Sequence, residues 1–206
     1  HGDHLGDHRL LLKSGVTFYE GCVRVPYLIR WPAAFPQGAV CEDLVESIDL
    51  APTLLDVAGV DIPPTMQGRS LVGLAEGTIP DWRDDAFAEI DLRINPKMHG
   101  PRDPGSRDYV AMICTRRWKY VHFPNLGIGE LYDLVRDPHE LDNLYTHPEY
   151  AGIVAEMRLR LLNRYMRNQR PYIGERTETF GEFYDSDHRP PEGGLPGVKY
   201  APPERV

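Results

Sequence analysis

The sequence predicts an α/β fold, and three observations carry the prediction. An apolar, β-branched and aromatic run at 25–29 follows a polar loop and is stopped by Pro32. Two β-prone runs, Tyr109–Cys114 and Trp118–Phe123, flank Thr115, Arg116 and Arg117 in the pattern of a hairpin. A long amphipathic segment then covers 148–168.

The chain opens HGDHLGDHRLLLKSG, with three histidines and two aspartates in its first eight residues. Glycines and weak periodicity predict a loop over 1–15, with one helical turn around Leu10. The run 25–29 reads as a buried strand, so ligand-type side chains precede an element that a core can fix. Pro32, Pro36 and Gly38 make 31–38 a surface connection, and 40–46 reads as a short strand or helix start. A helix is predicted over 47–58. Asp49 can cap it, Pro52 falls in the first turn where its missing N–H costs nothing, and Gly59 ends it. Leu50, Leu54, Leu55 and Ala58 share the face expected to pack against the sheet.

Pro63 and Pro64 keep 61–66 extended, and 68–75 gives one or two helical turns. At 77–83 the composition shifts to Gly, Pro and charge, the mark of a boundary. Residues 86–92 alternate as a strand, 95–107 read as an exposed loop, and 131–134 add a further strand to a small antiparallel sheet. Along 148–168, Ile153, Met157, Leu161 and Tyr165 share a face with Val154, Leu162 and Met166. Arg158, Arg160, Arg164 and Arg167 crowd the other side. The tail 171–206 is rich in Pro and Gly and cannot fold alone, but its aromatics can dock on a surface. The expected division is therefore 1–80, 81–170 and 171–206.

Composition narrows the function. A formal net charge of -8 argues against a nucleic-acid partner, since phosphate binding depends on Lys and Arg clusters. Any anion must be captured by local cations rather than by the overall field. No apolar run approaches the ~20 residues a membrane helix needs. Cys22, Cys41 and Cys114 have no metal-knuckle spacing and leave an odd count for disulfides.

His1-Gly2, Leu5-Gly6-Asp7-His8, Lys13 and Arg24-Val25-Pro26 stand in a fixed order. Downstream come Asp49-Leu50-Ala51-Pro52-Thr53-Leu54-Leu55, Gly68-Arg69-Ser70-Leu71 and Glu130-Leu131-Tyr132-Asp133-Leu134. As an ordered set over residues 1 to about 165, these resemble the second signature region and following part of the sulfatases, in the alkaline-phosphatase-like superfamily. Phosphonate monoester and phosphodiester hydrolases share the pattern, and Gly6-Asp7-His8 followed by Leu11-Leu12-Lys13 leans slightly their way.

The resemblance implies the C-terminal part of a sulfatase-like α/β core, followed by a small antiparallel sheet with a flanking helix. It implies metal-dependent hydrolysis of sulfate esters by a formylglycine made from Cys or Ser in a Cys/Ser-x-Pro-x-Arg sequence. None of the three cysteines sits in that context, so the chain is expected to be a C-terminal portion, inactive alone, whose partner is the N-terminal portion of the same enzyme. A small anionic ester is the expected substrate and a homo-oligomer the expected assembly. A non-catalytic lid or oligomerisation module is the competing reading.

By the same resemblance His1 is a metal ligand for Ca2+ or Mn2+, an imidazole tilting the choice toward Mn2+. Lys13 is both catalytic and substrate-binding, its ammonium donating to an oxygen of the transferred group. Without the ordered set, His1 would read as a frayed terminal histidine and Lys13 as a solvated lysine. Among Asp3, His4, Asp7 and His8, His8 is the one expected to approach the pocket as a substrate-binding residue. A separate zinc site from these four is disfavoured, because Gly6 weakens the helix that would bring His4 and His8 together and no third ligand is placed.

Overall fold

The computed structural model describes residues 2–12, 17–33, 35–91, 109–124 and 126–168. Strands β1 (His4–Leu5) and β2 (Leu11–Leu12) pair antiparallel, with His4 opposite Leu12. A tight turn at Asp7–Arg9 joins them, opened by Gly6 at φ 116. This hairpin replaces the loop expected over 1–15. His8 and Arg9 take left-handed φ values of 52 and 59, which lets so short a connection reverse, and Leu12 in β2 is also left-handed at φ 58. Helix α1 (Glu20–Val23) follows.

The strand expected over 25–29 does not form. The segment pairs with none of the described strands, and Leu28 is 91% exposed. An apolar run becomes a strand only where a neighbour accepts its backbone hydrogen bonds. Residues 40–46 are also irregular.

Helix α2 (Leu50–Val57) forms where the capping signals placed it, led in by a turn at Ser47–Asp49 and closed by Gly59 at φ 67. Its packing corrects the expectation, since Pro52 and Thr53 are buried while Leu50 and Leu54 are exposed. A polar anchor fixes the rotation. The Thr53 hydroxyl donates to the Asp49 carbonyl at 2.6 Å and accepts from the Leu71 N–H at 3.0 Å. Asp49 stands at the expected cap position, but its buried carboxylate accepts from the Glu46 and Arg69 N–H groups, both at 2.8 Å, and from the Arg83 guanidinium at 2.6 and 2.7 Å. Helix α3 (Val72–Ala75) lies within the predicted turn region.

Strands β3 (Ala86–Asp91), β4 (Tyr109–Cys114), β5 (Trp118–Phe123) and β6 (Ile128–Asp133) form one antiparallel sheet in chain order. Side chains alternate between its faces. Ala111, Ile113, Tyr120 and Leu131 pack against Val154, Met157 and Leu161 of helix α4 (Ala151–Asn168). The other face, with Val110, Met112, Cys114, Val121 and Phe123, receives Phe18. The sheet is therefore covered on one side by α4 and on the other by the segment that precedes α1.

Helix α4 also differs from its periodicity. Arg164 is buried and donates to Asp85 at 2.9 Å and to Glu46 at 2.6 Å, whereas Leu162 and Met166 are exposed. Two buried acids outweigh the apolar stripe in setting its rotation. The stretch 77–83 is tied to the core: the Trp82 indole donates to the Leu44 carbonyl at 2.9 Å, and Arg83 reaches Glu46 and Asp49. Burial pushes the Glu46 carboxyl above its usual range, against the pull of the Phe87 N–H, Arg164 and Arg83. Residues 95–107 and 171–206, read above as a loop and a tail, lie outside the described residues. Among the described residues no helix is long and apolar enough to cross a membrane.

Asp133, buried at the end of β6, gives a pH-dependent contribution. Hydrogen bonds from Arg117, at 2.8 Å for the shortest, hold its carboxyl below the usual aspartate range. The unfolded chain therefore takes up this proton at a higher pH than the native one. The stability so contributed is present above the ordinary aspartate pKa of about 3.9 and is lost as pH falls through the lower native value. Asp133→Asn is expected to flatten the acid limb of a stability–pH curve measured by urea unfolding; an unchanged acid limb would count against it.

Candidate functional site

The site is built on the contact between the N-terminal hairpin and α1. The Gly2 N–H donates to the Cys22 carbonyl at 3.0 Å. A Cβ at position 2 would lie 1.9 Å from the Gly21 carbonyl oxygen, so the backbone of α1 occupies the space a side chain would need. Glycine here follows from that approach. Gly2→Ala is expected to lever the hairpin off α1, destabilising the chain by about 1–3 kcal/mol. The check is hydrogen exchange at the Gly2 and Gly6 amides, and protection equal to wild type would refute it.

His4 points inward from β1 and is fully buried. Its Nε2 lies 3.2 Å from the Thr17 hydroxyl and 3.1 Å from the Cys22 sulfur, while its buried Nδ1 makes no hydrogen bond among the described residues. His8 is half-buried in the left-handed turn. Its imidazole lies flat on the Tyr19 ring, with centroids 3.6 Å apart and planes 8° apart. His4 meets both rings edge-on, at 6.1 Å from His8 and 5.8 Å from Tyr19. Tyr19 in turn approaches Tyr132 of β6 at 6.0 Å, and burial pushes the Tyr132 hydroxyl well above its ordinary pKa, so it stays protonated.

Behind this aromatic group lies a buried ion cluster. Lys119 Nζ is 2.6 Å from Glu20 Oε1 and 2.7 Å from Glu140 Oε1. Arg24 reaches the outer oxygen of Glu20 at 3.6 Å from a side chain that is itself exposed.

Burial pushes the Cys114 thiol up to about 12, Cys41 is exposed, and Cys22 is engaged with His4. Of the three site residues named from the sequence, His8 is described, and His1 and Lys13 lie outside the described residues. Among the described residues no three His, Cys, Asp or Glu side chains group to hold a metal ion, so they do not make a divalent-metal site by themselves. The sequence reading missed Tyr19, Glu20, Lys119 and Glu140. One signal was there: Lys119 shares the inward parity of Val121 and Phe123, where an apolar residue belongs.

Comparison with known proteins adds the family. Residues 6–167 match the family described as N-sulphoglucosamine sulphohydrolase, C-terminal. The N-acetylglucosamine-6-O-sulfatase of Bacteroides thetaiotaomicron is 35% identical over 160 residues, 76% of this chain and 27% of that protein. A solved 2-O GAG sulfatase matches with a TM-score of 0.69 at 28% identity, covering 84% of this chain and 36% of the other. The phosphonate monoester hydrolase of Agrobacterium radiobacter matches with a TM-score of 0.52 at 35% identity, covering 60% and 25%. The antiparallel sheet backed by a helix thus falls in a stretch that matches these proteins in sequence and in fold. The chain belongs to the sulfatase family and matches its C-terminal part. It spans between 25% and 36% of the lengths of these three relatives.

Proposed function

We propose that the chain contributes the C-terminal share of a site that hydrolyses sulfate esters, with a formylglycine nucleophile supplied from outside the 206 residues. The observation that carries this reading is the family match over 6–167, which includes His8 and Lys13. In it Lys13 donates to an oxygen of the transferred sulfate and stabilises charge that grows in the transition state. His8, lying flat on Tyr19 with its turn fixed by β1 and β2, edges the same anion and orients it. His1 is the candidate ligand for a divalent metal, Ca2+ or Mn2+, which would supply Lewis-acid polarisation of the sulfate oxygens. Within the 206 residues the chemistry falls to Lys13 and His8.

The relative from Bacteroides thetaiotaomicron supports a 6-O-sulfated N-acetylglucosamine as the first substrate to try. The 206-residue chain alone is expected to turn over neither this sugar nor an aryl sulfate, and the parent enzyme is expected to hydrolyse one or both. Aryl sulfate turnover by the 206-residue chain would overturn the division of the site. A parent enzyme that hydrolyses neither sulfate esters nor phosphonate esters and phosphodiesters would favour the lid or oligomerisation module instead.

A second reading, hydrolysis of phosphonate monoesters or phosphodiesters, is favoured by Gly6-Asp7-His8 with Leu11-Leu12-Lys13 and by the Agrobacterium radiobacter relative. Comparing kcat/KM for an aryl sulfate and a phenyl phosphonate ester in the parent enzyme separates the two.

A further inference from the structure

Lys119 is fully buried on β5, and besides Glu20 and Glu140 its ammonium donates to the Phe18 carbonyl at 2.9 Å. Glu140 is 3% exposed, and its second oxygen, Oε2, accepts from the Glu20 N–H at 2.6 Å. The Phe18 carbonyl and the Glu20 N–H belong to the two peptide planes on either side of Tyr19. Lys119 therefore holds one plane and Glu140 the other. Glu140 takes a left-handed φ of 56 to do so, a conformation a non-glycine residue keeps only when its surroundings impose it. Tyr19 is the surface on which His8 lies, and His8 is itself left-handed in a turn that buries little else.

A knot built only to hold the N-terminal segment on the sheet would need no grip on both planes, because Phe18 already packs into the sheet face. Nor is an ion cluster the cheap way to add adhesion, since burying charges costs more than burying apolar groups of the same volume.

We propose that Lys119 and Glu140 are positioning residues for the candidate site: by fixing both peptide planes of Tyr19 they set the ring that places His8. The geometric part stands on the contacts above; the step from His8 to catalysis rests on the reading under Proposed function.

Histidine-ring NMR on the 206-residue chain tests the geometric part. An imidazole stacked on a phenol ring carries an upfield ring-current shift. Tyr19→Leu identifies the His8 signals and gives their unstacked position. Glu140→Gln keeps the size and one acceptor oxygen, and Lys119→Met removes the ammonium. In both, the His8 signals are expected to move most of the way to the Tyr19→Leu position while those of His147 stay in place. If Lys119→Met does not fold, Glu140→Gln carries the test. A lowered unfolding temperature with His8 signals at their wild-type position would show a purely structural knot and overturn the proposal.

In the parent enzyme Glu140→Gln is expected to lower kcat on the order of tenfold with little change in KM, as for a misplaced site group. Displaced His8 signals with wild-type turnover would keep Lys119 and Glu140 as positioners and remove His8 from the reaction. The two readings thus fail separately.

Discussion

Replacing Asp49 by alanine is expected to cost about 3–5 kcal/mol of stability, the range for leaving one partner of a buried ion pair alone. The carboxylate is fully buried and takes hydrogen bonds from Arg83 at 2.6 and 2.7 Å and from the Glu46 and Arg69 N–H groups. Its removal strands a guanidinium that is itself only 6% exposed, together with two backbone donors. The effect spreads, because Arg83 shares Glu46 with Arg164 of α4, so the cluster links the 46–49 turn, the strand entry at 83–87 and the C-terminal helix. Asp49→Asn keeps an acceptor in place and should lose clearly less. Urea unfolding of the 206-residue chain reads both. A loss below about 1 kcal/mol for Asp49→Ala would mean that the cluster relaxes or that water reaches Arg83.

The second large effect is on turnover. Lys13→Ala in the parent enzyme is expected to remove a charge-assisted contact worth ~3 kcal/mol in the transition state, on the order of a hundredfold in rate. The loss should fall on kcat more than on KM, because the charge it meets grows as the reaction proceeds. Lys13→Arg should rescue poorly, since a planar fork cannot replace a point charge without moving its stem. Stability should barely change. Full turnover in Lys13→Ala, or its failure to fold, would end the catalytic assignment.

The C-terminal half of the fold was legible because its signals are local. Residues 86–92 alternate, β4 and β5 are β-prone runs about a short turn, and α4 repeats its apolar residues at helical spacing. Rotations and partners were less legible, because long-range polar contacts decide them. α2 turns on Thr53 and its bond to Leu71, and α4 turns on Arg164 and two acids more than seventy residues upstream. The run 25–29 looked like a strand because composition reports a taste for sheet and says nothing of whether a neighbour is there. His8 could be named from its motif. Lys119 carried a hint in its inward parity, but Tyr19 and the acids could not be named, since Lys119 stands 99 positions from Glu20 and no periodicity links them.

The strand order of the large sheet bears on the order of assembly. A meander pairs each strand with the next, so its contacts close short loops and form early, while those that tie residues 2–23 to it must close loops of about a hundred residues. The sheet can therefore be complete while the histidine hairpin is still searching for its seat. On this ordering the candidate site becomes native late, together with the 46–49 turn that Arg164 reaches across 118 positions, and its amides should open early to an unfolding probe.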